Sequence, residues 1–309
     1  MDASFSEYLA SRRAEIETAL AAALPAPPDC PAVVAEAMRY SVMGGGKRLR
    51  PILCLAAADA VGGETSMAMP AACAIELIHT YSLIHDDLPA MDNDTLRRGR
   101  PTLHVLAGEG MAILAGDGLL TEAFSLLARL PDTQEPAIVS RKLRVSGLIA
   151  GAAGATGMVG GQALDLASAG IDGGRAPDPG AAFDAEALRV MHSKKTGALI
   201  RAAAVAGAIM GGAADAIIER VDDAAAGFGL AFQIVDDILD VEGHSSQLGK
   251  TAGKDAAAGK PTYPALHGLG RARIMAAECL ERAERALAGA GLGDSRLMDI
   301  GRWIVLRSN

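Results

Sequence analysis

The sequence is poor in aromatic residues, which make up only 3% of its 309 residues. Segments in which Val, Ile, Thr or Tyr alternate with polar residues are also few, so the pattern gives little support for β-strands. Ala and Leu dominate the apolar positions, and both favour helices. We therefore predict an all-α protein. Because no loop marks a clear boundary, we expect a single helical domain over residues 1–309.

Cysteine is scarce as well, and none of the four cysteines forms a CxxC pair. This spacing suggests neither a zinc site nor a disulfide framework. Buried, reduced thiols are the expected state in a cytoplasmic protein. The N-terminal segment is acidic and has no long apolar run, which does not fit a signal peptide. We therefore expect a cytoplasmic location.

Excess positive charge is absent, because the formal net charge is −8. Proteins that bind nucleic acid through a broad surface field are usually basic, so we expect no nucleic-acid partner. The most apolar stretch, residues 145–161, contains six glycines and lacks the ~20 strongly apolar residues of a membrane span. We expect it to form a close-packed core helix, with no membrane span. Anionic ligands would then need local basic clusters, or metal ions on carboxylates.

Two aspartate clusters stand out, each at the C-terminal part of an apolar helical run. They contain Asp86, Asp87 and Asp92 in the first case, and Asp236, Asp237 and Asp240 in the second. Residues four apart share a helix face, so Asp236 and Asp240 point to the same side, where Gln233 also lies. In the first cluster the outer aspartates are six apart, but Pro89 disrupts the helix between them. A two-residue bulge there would bring Asp92 to the position of an i+4 residue.

Clustered carboxylates repel one another at the negative end of a helix dipole, so they need a compensating cation. Mg²⁺ suits these ligands because it takes carboxylate oxygens, keeps waters and binds phosphates beside them. Three basic runs accompany the acids: GGGKRLRP (44–51), RRGR (97–100) and KKTG (194–197). Arg pairs bidentately with phosphate and Lys acts as a point charge. The combination predicts a pocket for two polyanions, one held through Mg²⁺ and one held directly by Lys and Arg.

These blocks, in this order, resemble the trans-isoprenyl diphosphate synthases, and most closely the bacterial farnesyl diphosphate synthases. The similarity covers nearly the whole chain. The matching blocks are GGGKRLRP (44–51), ELIHTYSLIHDDLPAMDNDTLRRGRPTLH (76–104), GGQALDL (160–166), KKTGALIRAA (194–203), FQIVDDILDV (232–241), and LGKTAGKD with GKPTYP within 248–264. The resemblance leaves the role of the tail, residues 307–309, open.

The resemblance implies an antiparallel helical bundle around a deep apolar cavity, usually as a homodimer, with three Mg²⁺ per active site when substrate is bound. The implied metal ligands are Asp86, Asp87, Asp92, Asp236 and Asp240. The implied ligands of the allylic diphosphate are Arg97, Lys195 and Lys250. Those of isopentenyl diphosphate are Lys47, Arg50, His79 and Arg98. Thr196 and Gln233 match positions that face the allylic cation.

The expected product is farnesyl diphosphate, with Tyr81 as part of the pocket floor. Tyr81 lies five residues before the first cluster, ~7.5 Å along the helix, and a bulky ring there would block a growing chain. The resemblance agrees, because this position is often aromatic in farnesyl makers. On an ideal helix, however, Ser82 faces more nearly as Asp86 does, whereas Tyr81 lies with Leu77 and Ile84. A core role for Tyr81 therefore stays open.

Several alternatives remain. The product could be geranylgeranyl diphosphate. A class I terpene cyclase would share the first acidic motif, but the second motif and the basic residues argue against it. A phosphohydrolase could use His79, His85, Asp86 and His104 as metal ligands. A non-catalytic partner subunit is the remaining alternative, and turnover by the purified chain alone would exclude it.

Overall fold

A computed structural model describes residues 3–168, 184–242 and 262–307. Within these ranges the chain is almost entirely helical, which confirms the all-α prediction. The helices are α1 (Ala3–Ala23), α2 (Ala32–Val42), α3 (Leu49–Ala60), α4 (Thr65–Asp86), α5 (Leu103–Ala107), α6 (Glu109–Arg129), α7 (Pro136–Ala153), α8 (Met158–Ser168), α9 (Ala185–His192), α10 (Ala198–Met210), α11 (Asp215–Glu242), α12 (Tyr263–His267), α13 (Leu269–Gly289) and α14 (Arg296–Leu306). A π-helical turn occupies Ser193–Gly197. Two short strands, β1 (Leu96–Arg97) and β2 (Arg100–Pro101), pair antiparallel as a hairpin.

The chain packs into two compact units. Unit 1 comprises Met1–Gly147 and Ala206–Ala213, and unit 2 comprises Leu148–Val205 and Ala214–Asn309. The first aspartate cluster lies at the end of α4 in unit 1, and the second lies on α11 in unit 2. Each unit therefore carries one of the two clusters.

The core of unit 1 forms around α4, which packs against α1, α3 and α6. Burial covers most faces of this helix, since Ile75, Leu77 and Ile78 have no exposed surface. A helix that is apolar on most faces is stable only in a protein interior. The aspartates at its C-terminal end are therefore carried by a rigidly packed element. The cysteines are free thiols. Cys54, Cys73 and Cys279 are buried as predicted, whereas Cys30 is partly exposed.

In unit 2, α11 packs along α13 and α14. Apolar residues spaced by four and three along α11 are buried at Val221, Ala225, Phe228 and Val235, whereas Phe232 and Leu239, which continue the same spacing, are partly exposed. Asp236 and its i+4 partner lie on partly exposed positions of the same helix. One helix thus carries both a packing face and a carboxylate face, as its sequence pattern predicts.

The single helix predicted through residues 145–161 was wrong, because a turn separates α7 from α8. Gly154 and Gly157 lie in this turn, and the N–H of Gly157 donates to the carbonyl oxygen of Gly154 at 3.0 Å. A Cβ at Gly157 would lie 2.1 Å from the carbonyl oxygen of Ala152. The glycines therefore serve a tight turn at this point, which the apolar composition alone did not reveal.

Among the described residues, three apolar helical segments have the length and composition of a membrane span: Thr65–Asp86, Glu109–Arg129 and Pro136–Ser168. The first is 72% buried within the chain, so its place in the core accounts for its hydropathy. The other two are only 39% and 28% buried. Apolar side chains of α6 and α7 are therefore exposed, and the absence of a membrane span stays a prediction.

Candidate active site

The first aspartate cluster forms where α4 ends. Asp86 is the last residue of α4, and the chain then turns back so that the N–H of Asp92 donates to the carbonyl oxygen of Asp86 at 2.9 Å. A second hydrogen bond closes the same loop, from the N–H of Asn93 to the carbonyl oxygen of Leu88 at 3.1 Å. Pro89 lies inside this loop and blocks a continuing helix. This geometry confirms that a bulge brings Asp92 back beside Asp86.

Asp87 is buried, with only 4% of its surface exposed. Nε of Arg97 donates to both of its carboxylate oxygens at 2.9 Å, and Nη2 donates to Oδ1 at 2.5 Å. Burial raises the pKa of the Asp87 carboxyl, and the hydrogen bonds from Arg97 act in the opposite direction. Asp87 therefore fixes Arg97, one of the residues expected to hold the allylic diphosphate. This contact favours an anchoring role for Asp87 over the expected role as a direct metal ligand.

Positive charge concentrates around His79, which lies two turns before Asp86 on α4. Burial lowers the pKa of His79 well below its usual value. Nearby guanidinium groups lower this pKa further, namely those of Arg50, Arg98, Arg97 and Arg48. The imidazole is therefore neutral at pH 7, with four guanidinium groups nearby. The structure thus brings together three of the four residues expected to bind isopentenyl diphosphate: His79, Arg50 and Arg98.

Arg98 is positioned by the glycine turn that precedes α3. Its Nη1 donates to the carbonyl oxygen of Gly45, and a Cβ at Gly46 would lie 2.8 Å from its guanidinium carbon. A side chain at Gly46 would therefore displace the guanidinium. Lys47, the fourth residue expected at isopentenyl diphosphate, is an exposed residue of the same turn. The glycine-rich block thus packs against the hairpin that carries Arg98.

The remaining cation of the GGGKRLRP block, Arg48, is buried, and its side chain is only 1% exposed. It donates to carboxylate oxygens of Glu17 and Glu76, each at 2.8 Å. It also donates to the carbonyl oxygen of Val42 at 2.6 Å. These bonds tie α1, α2 and α4 to the start of α3. Arg48 therefore stabilises the glycine turn from inside the protein.

The second cluster also contains one buried aspartate. Asp237 is 6% exposed, and its Oδ2 accepts a hydrogen bond from the N–H of Tyr263 at 2.9 Å. Its Oδ1 lies 3.5 Å from Nε2 of Gln233, which donates to it. Asp236 and Asp240 are partly exposed on the same helix. Asp237 therefore holds the start of α12 and contacts Gln233, whereas Asp236 and Asp240 are partly exposed.

Lys195 and Thr196 lie in the π-helical turn Ser193–Gly197. Turns of this kind inside a helical run often occur at functional sites. Nζ of Lys195 lies 2.5 Å from Oδ2 of the buried Asp165 on α8. A Cβ at Gly161 would lie 2.1 Å from the backbone nitrogen of Lys195. The glycine thus allows α8 to approach the turn closely enough for Asp165 to hold Lys195.

On α11, Gly229 allows a second close approach to the same turn. A Cβ at Gly229 would lie 3.0 Å from Cα of Gly197. Gln233 lies one helical turn further along α11. The residues expected to face the allylic cation are therefore carried by elements in direct contact: the π-helical turn and α11. Lys250, expected at the allylic diphosphate, lies outside the described residues.

Tyr81 is a buried residue of α4, 7% exposed. Its ring meets that of His85 edge-on, with 5.6 Å between the ring centroids. Burial raises the pKa of Tyr81, and the negative charge of Asp86 raises it further. The hydroxyl of Ser82 donates to the carbonyl oxygen of His79 at 2.8 Å. Tyr81 thus lies within electrostatic range of the first cluster, and its limit on product length stays a prediction.

Comparison with known proteins agrees with this arrangement. A family model described as "Polyprenyl synthetase" matches residues 31–287, which include both aspartate clusters. The chain belongs to the polyprenyl synthetase family. The large subunit 1 of a heterodimeric geranylgeranyl pyrophosphate synthase from Arabidopsis thaliana is 47% identical over 306 residues, 99% of this chain and 80% of that protein. A farnesyl diphosphate synthase from Geobacillus stearothermophilus is 43% identical over 306 residues, 99% of both chains.

Solved structures of polyprenyl synthetase relatives share the fold. The apo crystal structure of an FPP/GFPP synthase from Zymomonas mobilis matches with a TM-score of 0.84 and 37% identity, and the match covers 99% of this chain and 100% of that one. A putative farnesyl-diphosphate synthase from Marinomonas sp. MED121 matches with a TM-score of 0.78 and 33% identity, and the match covers 97% and 98% of the two chains. The isoprenoid synthase fold expected from the sequence is therefore confirmed.

The polyprenyl synthetase family implies a divalent metal. The described residues fit a metal ion that would be coordinated partly by the protein and partly by the substrate. In residues 3–168, 184–242 and 262–307, no three His, Cys, Asp or Glu side chains converge as a ready-made metal cage. The phosphohydrolase site would need its four ligand side chains to converge, so that alternative loses its support. Mg²⁺ usually takes one or two carboxylates and completes its shell with waters and phosphates. The side chain of Asp236, which is 42% exposed, fits that pattern.

Two residues in contact with the candidate site had no role in the sequence pattern. Asp165 lies within the GGQALDL block, so the block itself was a signal that could have pointed to it. Arg307 donates through Nη2 to Oδ1 of Asp236. No local sequence pattern links Arg307 with Asp236, because they are 71 positions apart in the chain. Only the packing of α14 against α11 brings them together.

His192, at the end of α9, makes stability depend on pH. Burial lowers its pKa to about 4, against ~6.5 in an unfolded chain. The unfolded state therefore binds a proton first as the pH falls below 6.5, which favours unfolding. Between pH 7 and pH 5 this residue should remove about 2 kcal/mol from the unfolding free energy. Urea unfolding of wild type and His192→Gln at both pH values measures the difference, and equal pH dependence of the two proteins would contradict the assignment.

Proposed function

We propose that this protein condenses isopentenyl diphosphate with dimethylallyl or geranyl diphosphate to make farnesyl diphosphate. The observation that carries the proposal is the face of α4 on which His79 and Asp86 lie seven residues apart, or ~10 Å along the helix axis. At one end, arginines surround a neutral imidazole. At the other, Asp92 folds back beside Asp86. One anion can be bound directly by cations and another through metal ions, as a reaction between two diphosphates requires.

The proposed metal ligands are the partly exposed aspartates of the two clusters: Asp86, Asp92, Asp236 and Asp240. Asp87 contributes by holding Arg97 at the same site. Bound Mg²⁺, proposed as three ions with substrate present, would neutralise the diphosphate leaving group. Asp87 contacts only the Nε and Nη2 side of the Arg97 guanidinium. Arg97 is therefore proposed to add a fixed positive charge toward the same anion. Lys250 is proposed to act there too.

The proposed reaction is ionisation, addition and proton loss. The carbon–oxygen bond of the allylic diphosphate breaks, and the electron pair leaves with the diphosphate. The double bond of isopentenyl diphosphate then forms the new carbon–carbon bond, and the released diphosphate takes the proton that is lost. Lys195 is proposed to bind the allylic diphosphate, and Thr196 and Gln233 are proposed to face the allylic cation. The carboxylate of Asp165 holds the ammonium of Lys195 at 2.5 Å, and that of Asp237 makes a longer contact of 3.5 Å with the amide of Gln233.

The C15 product is proposed because Tyr81 is a buried aromatic residue one and a half turns before Asp86. A C20 product is the second candidate, since relatives of similar identity carry the name geranylgeranyl pyrophosphate synthase. The intact second aspartate cluster and the arginines around His79 favour either product over a terpene cyclase.

A homodimer is proposed through the apolar side chains that α6 and α7 expose. These residues are Ile113, Leu114, Val139 and Leu143, which are between 43% and 75% exposed. Patches of this kind usually mark a protein interface. A monomer in sedimentation velocity at micromolar concentration would contradict the proposal.

We further propose that both units belong to one synthase domain, because the family match at residues 31–287 includes parts of each. A cytoplasmic location is proposed as well, although the Arabidopsis relatives are named as chloroplastic.

Activity should require a divalent metal and both aspartate clusters. Asp86→Asn and Asp236→Asn should each lower kcat at least about a hundredfold, or ~3 kcal/mol of transition-state stabilisation, because each removes a carboxylate from a metal. Asp59→Asn changes an exposed aspartate of α3 and should leave the rate unchanged. Turnover of radiolabelled isopentenyl diphosphate with geranyl diphosphate measures these rates. Near-normal turnover in excess EDTA would contradict the proposal.

Tyr81→Ala should lengthen the product. Removing the buried ring opens space at the proposed floor, so C20 and longer chains should appear with excess isopentenyl diphosphate while ionisation continues. Ser82→Ala is the matched control, because it changes the neighbouring position without opening comparable space. Mass spectrometry of the products measures chain length. A folded, active Tyr81→Ala variant that still stops at C15 would mean that another residue limits product length. A C20 product from the wild type would favour the second candidate.

A further inference from the structure

Arg307 follows the last helix, α14, and its side chain lies against α11. The N–H of Arg307 donates to the carbonyl oxygen of Trp303 at 3.0 Å, which fixes its backbone. Its guanidinium carbon lies 4.0 Å from the centroid of the Phe232 ring. Nη2 donates to the carbonyl oxygen of Phe232 at 3.0 Å and also to Oδ1 of Asp236. The side chain is only 3% exposed, whereas that of Asp236 is 42% exposed.

This pair differs from an ordinary surface salt bridge. Two exposed partners lose side-chain entropy when they meet and contribute little. Here the guanidinium is already held by the ring and the carbonyl oxygen of Phe232, so Asp236 meets a fixed cation. A guanidinium does not lose its proton in proteins, so the charge beside Asp236 is permanent. Asp236 therefore meets a fixed positive charge and is held in one orientation.

The contact uses one carboxylate oxygen. Arg307 donates to Oδ1 of Asp236, and in the part of the chain that the structure describes it makes no bond to Oδ2. Carboxylates that bind metal ions are commonly oriented by a hydrogen bond to the oxygen that the metal does not use, and losing that bond weakens metal binding about 10- to 100-fold. A buried, stacked arginine on one oxygen matches this arrangement.

We propose that Arg307 is a positioning residue for Asp236, which orients that carboxylate for the metal–diphosphate complex. The inference rests on the proposed function, because it takes Asp236 as a metal ligand. Arg307 acts through Asp236 and touches neither substrate nor metal. It gives the C-terminal helix a part in assembling the site, since α14 sets the place from which Arg307 reaches α11.

The test measures binding of Mn²⁺ in the presence of inorganic diphosphate, without turnover, by isothermal titration calorimetry and by the electron paramagnetic resonance signal of free Mn²⁺. Arg307→Gln should raise the dissociation constant of Mn²⁺ about tenfold. Arg307→Lys keeps the charge but loses the planar fork, so the rise should be about threefold. Arg302→Gln is the matched control. Arg302 is also on α14, but it pairs with Glu284 at 3.1 Å, and its loss should leave Mn²⁺ binding unchanged.

Three outcomes decide the inference. Wild-type binding in Arg307→Gln would overturn it, and so would tighter binding, because that would make Arg307 a competitor of the metal. If Arg307→Gln does not fold, Phe232→Leu decides: losing the ring should loosen Arg307 and raise the dissociation constant about threefold, and unchanged binding would overturn the inference. Wild-type protein that binds no Mn²⁺ with diphosphate would instead contradict the proposed function, so the two failures are distinguishable.

Discussion

A buried carboxylate is costly unless hydrogen bonds and opposite charges balance it, and both aspartate clusters are organised by this constraint. In the first cluster Asp87 is balanced by the guanidinium of Arg97. In the second, Asp237 is hydrogen-bonded to the backbone N–H of Tyr263. Each buried aspartate fixes a neighbouring element, and the adjacent aspartates of the cluster remain at partly exposed positions. We propose that the double aspartate has two tasks, one structural and one directed at a ligand.

The same constraint explains how the cations are placed. Arg48 is balanced by two glutamates and holds the glycine turn. Lys195 is balanced by Asp165, which fixes its ammonium in the π-helical turn. The group around His79 combines both kinds of contact. Arg48 and Arg97 are paired with carboxylates, and their guanidinium groups lie near a neutral imidazole together with those of Arg50 and Arg98. Several guanidinium groups at one place suit an anionic ligand, and His79 lies on the same helix that ends in the first aspartate cluster.

Much of the fold and part of the site could be predicted from the sequence. The helical class follows from composition, and the bulge at Pro89 follows from the six-residue spacing of Asp86 and Asp92. These are local effects, so a local pattern contains them. The turn between α7 and α8 escaped prediction, because glycines in an apolar run also suit close helix packing. The contact of Arg307 with Asp236 could not be predicted from the sequence, because it depends on how two helices distant in the chain pack together. The role of Lys250 and the length of the product remain proposals for a related reason. Both depend on residues or pocket volumes that local spacing in the sequence does not reveal.

We propose that the partly exposed aspartates bind metal while the buried ones hold the protein together. Anomalous diffraction from crystals grown with Mn²⁺ and inorganic diphosphate tests it most directly. We expect Mn²⁺ peaks about 2.1 Å from carboxylate oxygens of Asp86, Asp92, Asp236 and Asp240, close to the octahedral distance of Mg²⁺. Asp87 should remain on Arg97, and Asp237 on the N–H of Tyr263. Mn²⁺ bound directly by Asp87 or Asp237, or no Mn²⁺ at either cluster at saturating concentration, would contradict it.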